Sequence, residues 1–404
     1  MAEKRLLVLG AGPAQLGALD AARRHGLTVV AADRNPAAPG FRHADRRAIV
    51  SIEDEPAIER LARAEDVDGI LAPGADHAVA IAARVATRMA LPHPLSAEAA
   101  LLAASRRRQR ERLAEAGVPQ PRAVVCRGLP DVLAAADELG YPCLVEAPDR
   151  EGERSVIRAA NRDEVVRAAA QAFTDSLDDY CLVEEIVAGP AVTVAGWALA
   201  GKLTVVAAFD RDLAPPPAFA VPLALAWPGV EPLDGVEGVV QRGVDALGVA
   251  EGPVVALVLL RADGPQLAKL SARTGGSHES ELCRAALGVD LDALAVATAL
   301  GETVEPESLA PRELAGGACA RFLVAPPGEL VETHGLAAAR ELPGVVAATV
   351  YREAGHRFGE LRRASERAGA VLATGATRAE AEETARAAAA LVELIVAQPT
   401  GAAA

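Results

Sequence analysis

The stretch RLLVLGAGPAQLGALDAARRHGLTVVAAD, Arg5 to Asp33, decides how the chain begins to fold. A short apolar run, Arg5–Gly10, stops on a glycine. An alanine-rich segment follows, and a second apolar run, Leu27–Ala32, closes on Asp33. This reads as strand, helix, strand, with the right-handed crossover that parallel neighbours require. Ala48–Ser51 and Gly69–Ala72 continue the alternation, so residues 1–93 are expected to form an open parallel α/β sheet. Pro92 and Pro94 break the chain there. Gly10, Gly12 and Gly17 sit between the first strand and its helix, and Asp33 follows at a dinucleotide-like distance. The GxGxxG spacing is not met. A tight strand-to-helix turn with close backbone packing is the stronger reading.

Downstream, a basic helix is expected over Ala99–Ala116, ending at Gly117 with Pro119 beyond it. From Ala123 the texture changes to AVVC, PCLVEA, SVIRAA, CLVEEIV, VTVAGWAL and LTVVAAF, read as strands separated by short turns in an α+β region. The proline-rich loop Leu213–Pro217 reads as a mobile segment. Arg321–Leu323 opens a last region of strands, closed by a long alanine-rich helix over Arg378–Val396, and the GAAA tail is expected to be disordered.

The 404 residues allow two or three domains. Hydrophobic residues at 51% and charged residues at 24% fit a soluble globular protein. The net charge of −14, with no basic stripe, argues against nucleic acid. Cys126, Cys143, Cys181, Cys283 and Cys319 show no CxxC spacing, so neither zinc nor a disulfide framework is expected. No apolar run is long enough to span a bilayer, and the expectation is a cytoplasmic protein without membrane partners. Only Lys4, Lys202 and Lys269 are lysines, so a Lys→Arg exchange here carries little meaning by itself.

Several stretches, in order, carry a resemblance. They are VDGILAPGADHAVAIAARVA (Val67–Ala86), RERLAEAGVPQPR (Arg110–Arg122), GYPCLVEAPDREGERSV (Gly140–Val156), LVEEIVAGPAVTV (Leu182–Val194), DGPQLAKLSARTGGSHESELCRAALGVDL (Asp263–Leu291) and GAVLATGATRAEAEETARAA (Gly369–Ala388). Together they resemble the ATP-grasp superfamily, in its carboxylate–amine (amino-acid) ligase and biotin-carboxylase-like branch. The resemblance implies a mixed α/β and α+β architecture. Its expected parts are a Rossmann-like pre-ATP-grasp domain at 1–93, a linker helix at 94–122, a lid at 123–183, a core at 184–310 and a C-terminal region at 311–404.

A ligase of this kind holds a triphosphate and an acyl-phosphate with lid lysines, magnesium-binding carboxylates and glycine amides. Here the lid lysine's place is taken by Glu146. The loop that should be glycine-rich reads Asp149–Arg154, with Ser155 where a glycine is usual. Glu184, Glu185 and Val187 keep the adenine-hinge pattern, but the ribose-binding acid is Ala191. The two magnesium carboxylates align with Leu257 and Lys269, and the asparagine ligand with Ser271, so no metal ligand is expected. Arg106 stands for the other phosphate lysine. Arg273, Gly275, Gly276 and His278 remain from the segment that in ligases faces the acyl-phosphate and the carboxylate, although His278 also reads as a satisfied loop histidine.

The favoured reading is a fold that has lost its nucleotide chemistry. It would act as an ATP-independent catalyst on a small carboxylate or amino-acid-like molecule, with Arg273, His278, Lys269 and Glu146 as its working residues, or as a pseudoenzyme partner of an active paralogue. The competing reading is an active carboxylate–amine ligase that uses ATP and magnesium through relocated ligands. Under either, a homodimer formed through the N-terminal domain is expected, and substrate choice is expected from the loop Ala208–Gly229. The exchange of sign between Glu146 and Lys269 further predicts that these two side chains approach each other as an ion pair in the old cleft.

Overall fold

The computed structural model describes residues 4–147, 156–176, 179–312 and 315–397. The chain forms two compact units. The first begins as the sequence suggests: β1 (Arg5–Leu9), α1 (Leu16–Arg24), β2 (Thr28–Ala32), β3 (Arg46–Ala48), α2 (Glu55–Ala64), β4 (Gly69–Leu71) and α3 (Asp76–Met89). The strands pair in parallel in the order β3-β2-β1-β4. Because β2 and β4 lie on opposite sides of β1, the loops after β1 and β4 open a crevice at the strand ends, the usual place for a site in such a sheet. Asp33 accepts from the amides of Ala11 and Asn35, so it ties down the first loop. Gly74 lies at φ +69°, where a Cβ would press on Ala14. This residue must be glycine-like for the two loops to touch.

The basic helix divides in two. Ser105 sits in extended geometry between α4 (Ala97–Ala104) and α5 (Arg106–Glu115), and its hydroxyl caps the second helix by accepting from the Arg108 amide. A serine is a good N-cap, so the continuous helix expected over this stretch gives way to a helix pair.

The lid is β5 (Ala123–Cys126), α6 (Leu129–Leu139), β6 (Cys143–Glu146), β7 (Ile157–Ala159), α7 (Arg162–Asp175) and β8 (Cys181–Glu185). Two of the connections read as short turns are thus helices, and they cover one face of the sheet β5-β8-β6-β7. Alternation along β6 and β8 sends Cys143, Val145, Cys181 and Val183 into that apolar layer. Leu144, Glu146, Leu182 and Glu184 therefore share the other face. The Asp149–Ser155 loop falls outside the described residues.

The core follows as β9 (Ala191–Leu199), β10 (Lys202–Leu213), β11 (Pro222–Trp227, in the second unit), α8 (Val236–Leu247), β12 (Gly252–Arg261), β13 (Gly264–Ser271), α9 (Glu279–Leu287) and α10 (Leu291–Ala299). In the first unit the order β13-β12-β9-β10 leaves β13 as an edge. Trp197, Leu247, Leu267 and Leu270 are fully buried in this region.

The second unit holds β14 (Gly317–Leu323), β15 (Gly328–His334), α11 (Leu336–Glu341), β16 (Val345–Val350), β17 (Arg357–Phe358), β18 (Gly369–Gly375), α12 (Arg378–Leu391) and β19 (Glu393–Ala397). The strands β11-β14-β18-β16 run antiparallel, and β17-β15-β19 form a small separate sheet. The helix expected over Arg378–Val396 ends at Leu391, and its last residues turn into β19, pairing with β15. The GAAA tail is outside the described residues. Among the described residues no helix is long and apolar enough to cross a membrane.

Two glycines of the first unit give opposite expectations. A Cβ on Gly69 would overlap the Ala299 carbonyl oxygen, whereas Gly238, on the exposed side of α8, meets nothing. Gly69→Ala should cost about 1–3 kcal/mol through overpacking. Gly238→Ala should stabilise by roughly 0.5–1 kcal/mol through backbone entropy. Urea denaturation of both variants checks this, and equal midpoints would contradict the packing described.

Candidate functional site

An edge strand exposes unpaired backbone groups, and β13 has its outer edge covered by α5. Gln109, fully buried, donates from Nε2 to the Leu270 carbonyl at 2.8 Å and accepts the Leu270 amide at 3.0 Å. Three residues before Gln109, Arg106 donates from Nη1 to the Ala268 carbonyl at 2.6 Å, and Arg110, the next residue after Gln109, donates to the carbonyls of Leu267 and Ala268 at 3.3 and 3.0 Å. Arg106 and Arg110 are four residues apart and so share a helix face.

Their remaining donors meet the polar face of the lid. Arg110 grips Glu184 with both branches, Nε to Oε1 at 2.6 Å and Nη2 to Oε2 at 3.0 Å. Arg106 Nε donates to Glu146 at 3.1 Å, and its Nη2 reaches Glu184 Oε2 at 3.1 Å. Glu146, Glu184 and Arg110 are each 5% exposed or less. Burial pushes the Glu184 carboxyl up, but Arg106 and Arg110 overcome it and hold the group below its ordinary value. Burial also pushes Glu146 up, the Glu184 charge adds to it, and Arg106 only partly offsets both, so Glu146 lies above its ordinary value.

Across the cleft, Leu257 and Lys269 are direct cross-strand partners of β12 and β13, as Val255 and Ser271 are. Lys269 Nζ lies 2.6 Å from Asp76 Oδ2, at the first residue of α3. Arg273 Nε lies 2.7 Å from Asp76 Oδ1, with its N–H not directed at that oxygen, and its Nη1 donates to the Thr274 carbonyl at 2.9 Å. Burial opposes the charge on Asp76, yet Arg273, Lys269 and the Ser271 hydroxyl hold it well below the usual carboxylate range. The expected Glu146–Lys269 pair is therefore replaced. Glu146 is taken by Arg106, and Lys269 by Asp76, which lies 193 positions away from it along the chain.

The loop after β13 packs on both N-terminal loops: Gly74 donates to the Thr274 carbonyl at 3.3 Å, and Gly276 faces Ala14 and Gly74. Gly275 lies against the Glu279 side chain, whose Oε2 accepts the Ser277 amide at 2.7 Å. His278, at φ +68°, places Nδ1 2.9 Å from Glu281 Oε1. Of the hinge residues, Glu184 points into the cleft. Glu185 points away, bound to the Arg122 amide and guanidinium at 2.9 Å each, and Val187 is half-buried. The structure thus gathers Arg106, Glu146 and Glu184 in one cluster and Lys269, Arg273, Gly275 and Gly276 in a second. The sequence reading passed over Arg110, Gln109 and Asp76. The i, i+4 arginine spacing in RRRQR was the available signal for the first.

A family model for L-amino acid ligase C-terminal domain 2 matches residues 321–397, and one for the carbamoyl-phosphate synthase L chain, ATP binding domain, matches residues 105–193. The chain superposes on an L-amino acid ligase from Bacillus licheniformis with a TM-score of 0.82 at 19% identity, covering 98% of this chain and 99% of that one. A phosphoribosylglycinamide synthetase from Anaerococcus prevotii gives 0.76 at 20% identity, covering 98% and 100%. An uncharacterised protein, y4rH, of Sinorhizobium fredii is 26% identical over 336 residues, 80% of this chain and 67% of that protein. The fold is ATP-grasp. The two matched stretches and the superpositions are those of ATP-grasp carboxylate–amine ligases, which this chain resembles in fold.

The opposite perturbations of the two lid carboxylates separate their roles. A carboxyl held below its unfolded value contributes stability that is present above that value and lost as pH falls through the folded pKa. Glu184 and Asp76 therefore weaken the fold as pH falls below about 4. A carboxyl raised by burial does the reverse: its contribution is present at low pH and is lost as pH rises through the folded pKa. Glu184→Gln, which leaves two guanidiniums short of a counter-ion, should cost about 3–5 kcal/mol at pH 7.5. Glu146→Gln should change stability by less than about 1 kcal/mol, or raise it. Urea unfolding at pH 7.5 distinguishes them, and equal losses would refute the division of roles.

Proposed function

We propose that this protein keeps the architecture of a carboxylate–amine ligase without magnesium–nucleotide chemistry and binds a small carboxylate or amino-acid-like molecule at Arg273 and Lys269. The observation that carries the reading is the buried Arg106–Glu146–Glu184–Arg110 network, which spends the cleft's guanidiniums on the chain's own carboxylates. A triphosphate needs unmatched cations and donors, and a carboxylate in the lid-lysine position opposes it. The residues present also do not fit the metal. Leu257 and Lys269 occupy the places of two carboxylates, and Lys269 carries a charge of the same sign as magnesium. Among the described residues, no three His, Cys, Asp or Glu side chains are arranged to hold a metal.

The second cluster is different in kind. There, among the described residues, two cations, Lys269 and Arg273, face a single carboxylate, Asp76, and the Lys269 side chain is one-third exposed. One further carboxylate would balance it. Calorimetry with millimolar ATP and magnesium should show no saturable heat, and the melting temperature should not move. A Kd below about 50 μM, roughly −6 kcal/mol, would overturn the proposal.

A further inference from the structure

The loop Arg273–His278 keeps the glycines of an anion-holding turn but departs from the ligase pattern at one position. Where GG is followed by aspartate in that pattern, this chain has Ser277, and a carboxylate appears two residues later at Glu279. The side chain of Glu279 folds back over the loop. Its Oε2 accepts the Ser277 amide at 2.7 Å and occupies the space that a Cβ on Gly275 would take. Glu279 is 6% exposed, and among the described residues none of the cations of the cleft pairs with it: Arg106 serves Glu146 and Glu184, Arg110 serves Glu184, and Lys269 and Arg273 serve Asp76. A carboxylate removed from water without a cation is expensive to hold, so it is seated by the loop and by little else.

We propose that Glu279 is an intramolecular stand-in for the external anion: an autoinhibitory carboxylate that fills the Gly275–Ser277 loop and must swing out before a small oxyanion can bind there. Gly275 on this view is needed for the room it gives the Glu279 carboxylate. The inference rests on reading the loop and Arg273 as the surviving small-anion site, and it adds what occupies the loop beforehand.

The test uses the whole chain and sodium sulfate, with sodium chloride at matched ionic strength as control. Thermal unfolding against sulfate should show that Glu279→Ala binds roughly tenfold more tightly than wild type, with the near-isosteric Glu279→Gln in between, since one charge-assisted hydrogen bond is at stake. The gain should vanish in Glu279→Ala/Arg273→Ala. Sulfate affinity that is equal in wild type and both Glu279 variants, yet lost with Arg273→Ala, would overturn the stand-in while leaving the anion site intact. No sulfate response in any variant would remove the site itself. A crystal structure of wild type grown from concentrated sulfate gives a reading that needs no variant to fold. Glu279 seated on the Ser277 amide supports the proposal, and sulfate in the loop beside an undisplaced Glu279 refutes it.

Discussion

Two guanidiniums, Arg106 and Arg110, sit where three different demands meet. The edge of β13 needs donors for its free carbonyls, the polar face of the lid presents two carboxylates, and Arg110, Glu146 and Glu184 are buried. An isolated charge buried there would cost several kcal/mol. An arginine offers five donors in a planar fork, so one side chain can serve carbonyl and carboxylate together. A lysine in the place of Arg106 would be a single ammonium and could not span Ala268, Glu146 and Glu184 in this way.

The same logic recurs at each surviving fragment of the site. Asp76 neutralises Lys269 and Arg273, and Glu279 seats itself on the loop amide. Each carboxylate comes from a different element: the lid strands, the start of α3 and the start of α9. Attraction between unit charges about 3 Å apart is several kcal/mol even at an effective dielectric near 20, so a pair once formed excludes weaker external competitors. Such pairs are poor sources of net stability, because desolvation cancels much of the gain. What they do is fix which side chain faces which.

Much of this fold was legible because periodicity survives in an alanine-rich chain. The apolar runs at Arg5–Gly10, Leu27–Ala32 and Cys181–Val187 stand out from their surroundings and became β1, β2 and β8. Boundaries blurred where alanine dominates. Alanine favours helix strongly and carries no face, so α12 seemed to run on to Val396, although ELIVA alternates in the manner of a strand and pairs with β15. Ser105 hid a cap inside a run of good helix formers. At the site, the reversed signs of Glu146 and Lys269 were visible, but their partners were not. Asp76 stands 70 positions before Glu146 and lay within a stretch that read only as part of the fold. Complementary charges along a sequence indicate that neutralisation is needed. They do not indicate which neighbour provides it, because that depends on the faces to which β6 and β13 turn their side chains.

A site that merely loses ligands leaves unmatched groups behind, and unmatched buried charge is what a fold tolerates least. In the lid cluster two guanidiniums meet two carboxylates, every one of them in hydrogen-bond contact. The Asp76 cluster is not closed in the same sense, since two cations there share one acid and the Nε–H of Arg273 is not aimed at it. Among the described residues, the Arg106–Arg110 cluster sets two guanidiniums against two carboxylates and the Asp76 cluster two cations against one, so a change at Arg273 or Lys269 leaves intact the contacts that Arg106 and Arg110 make.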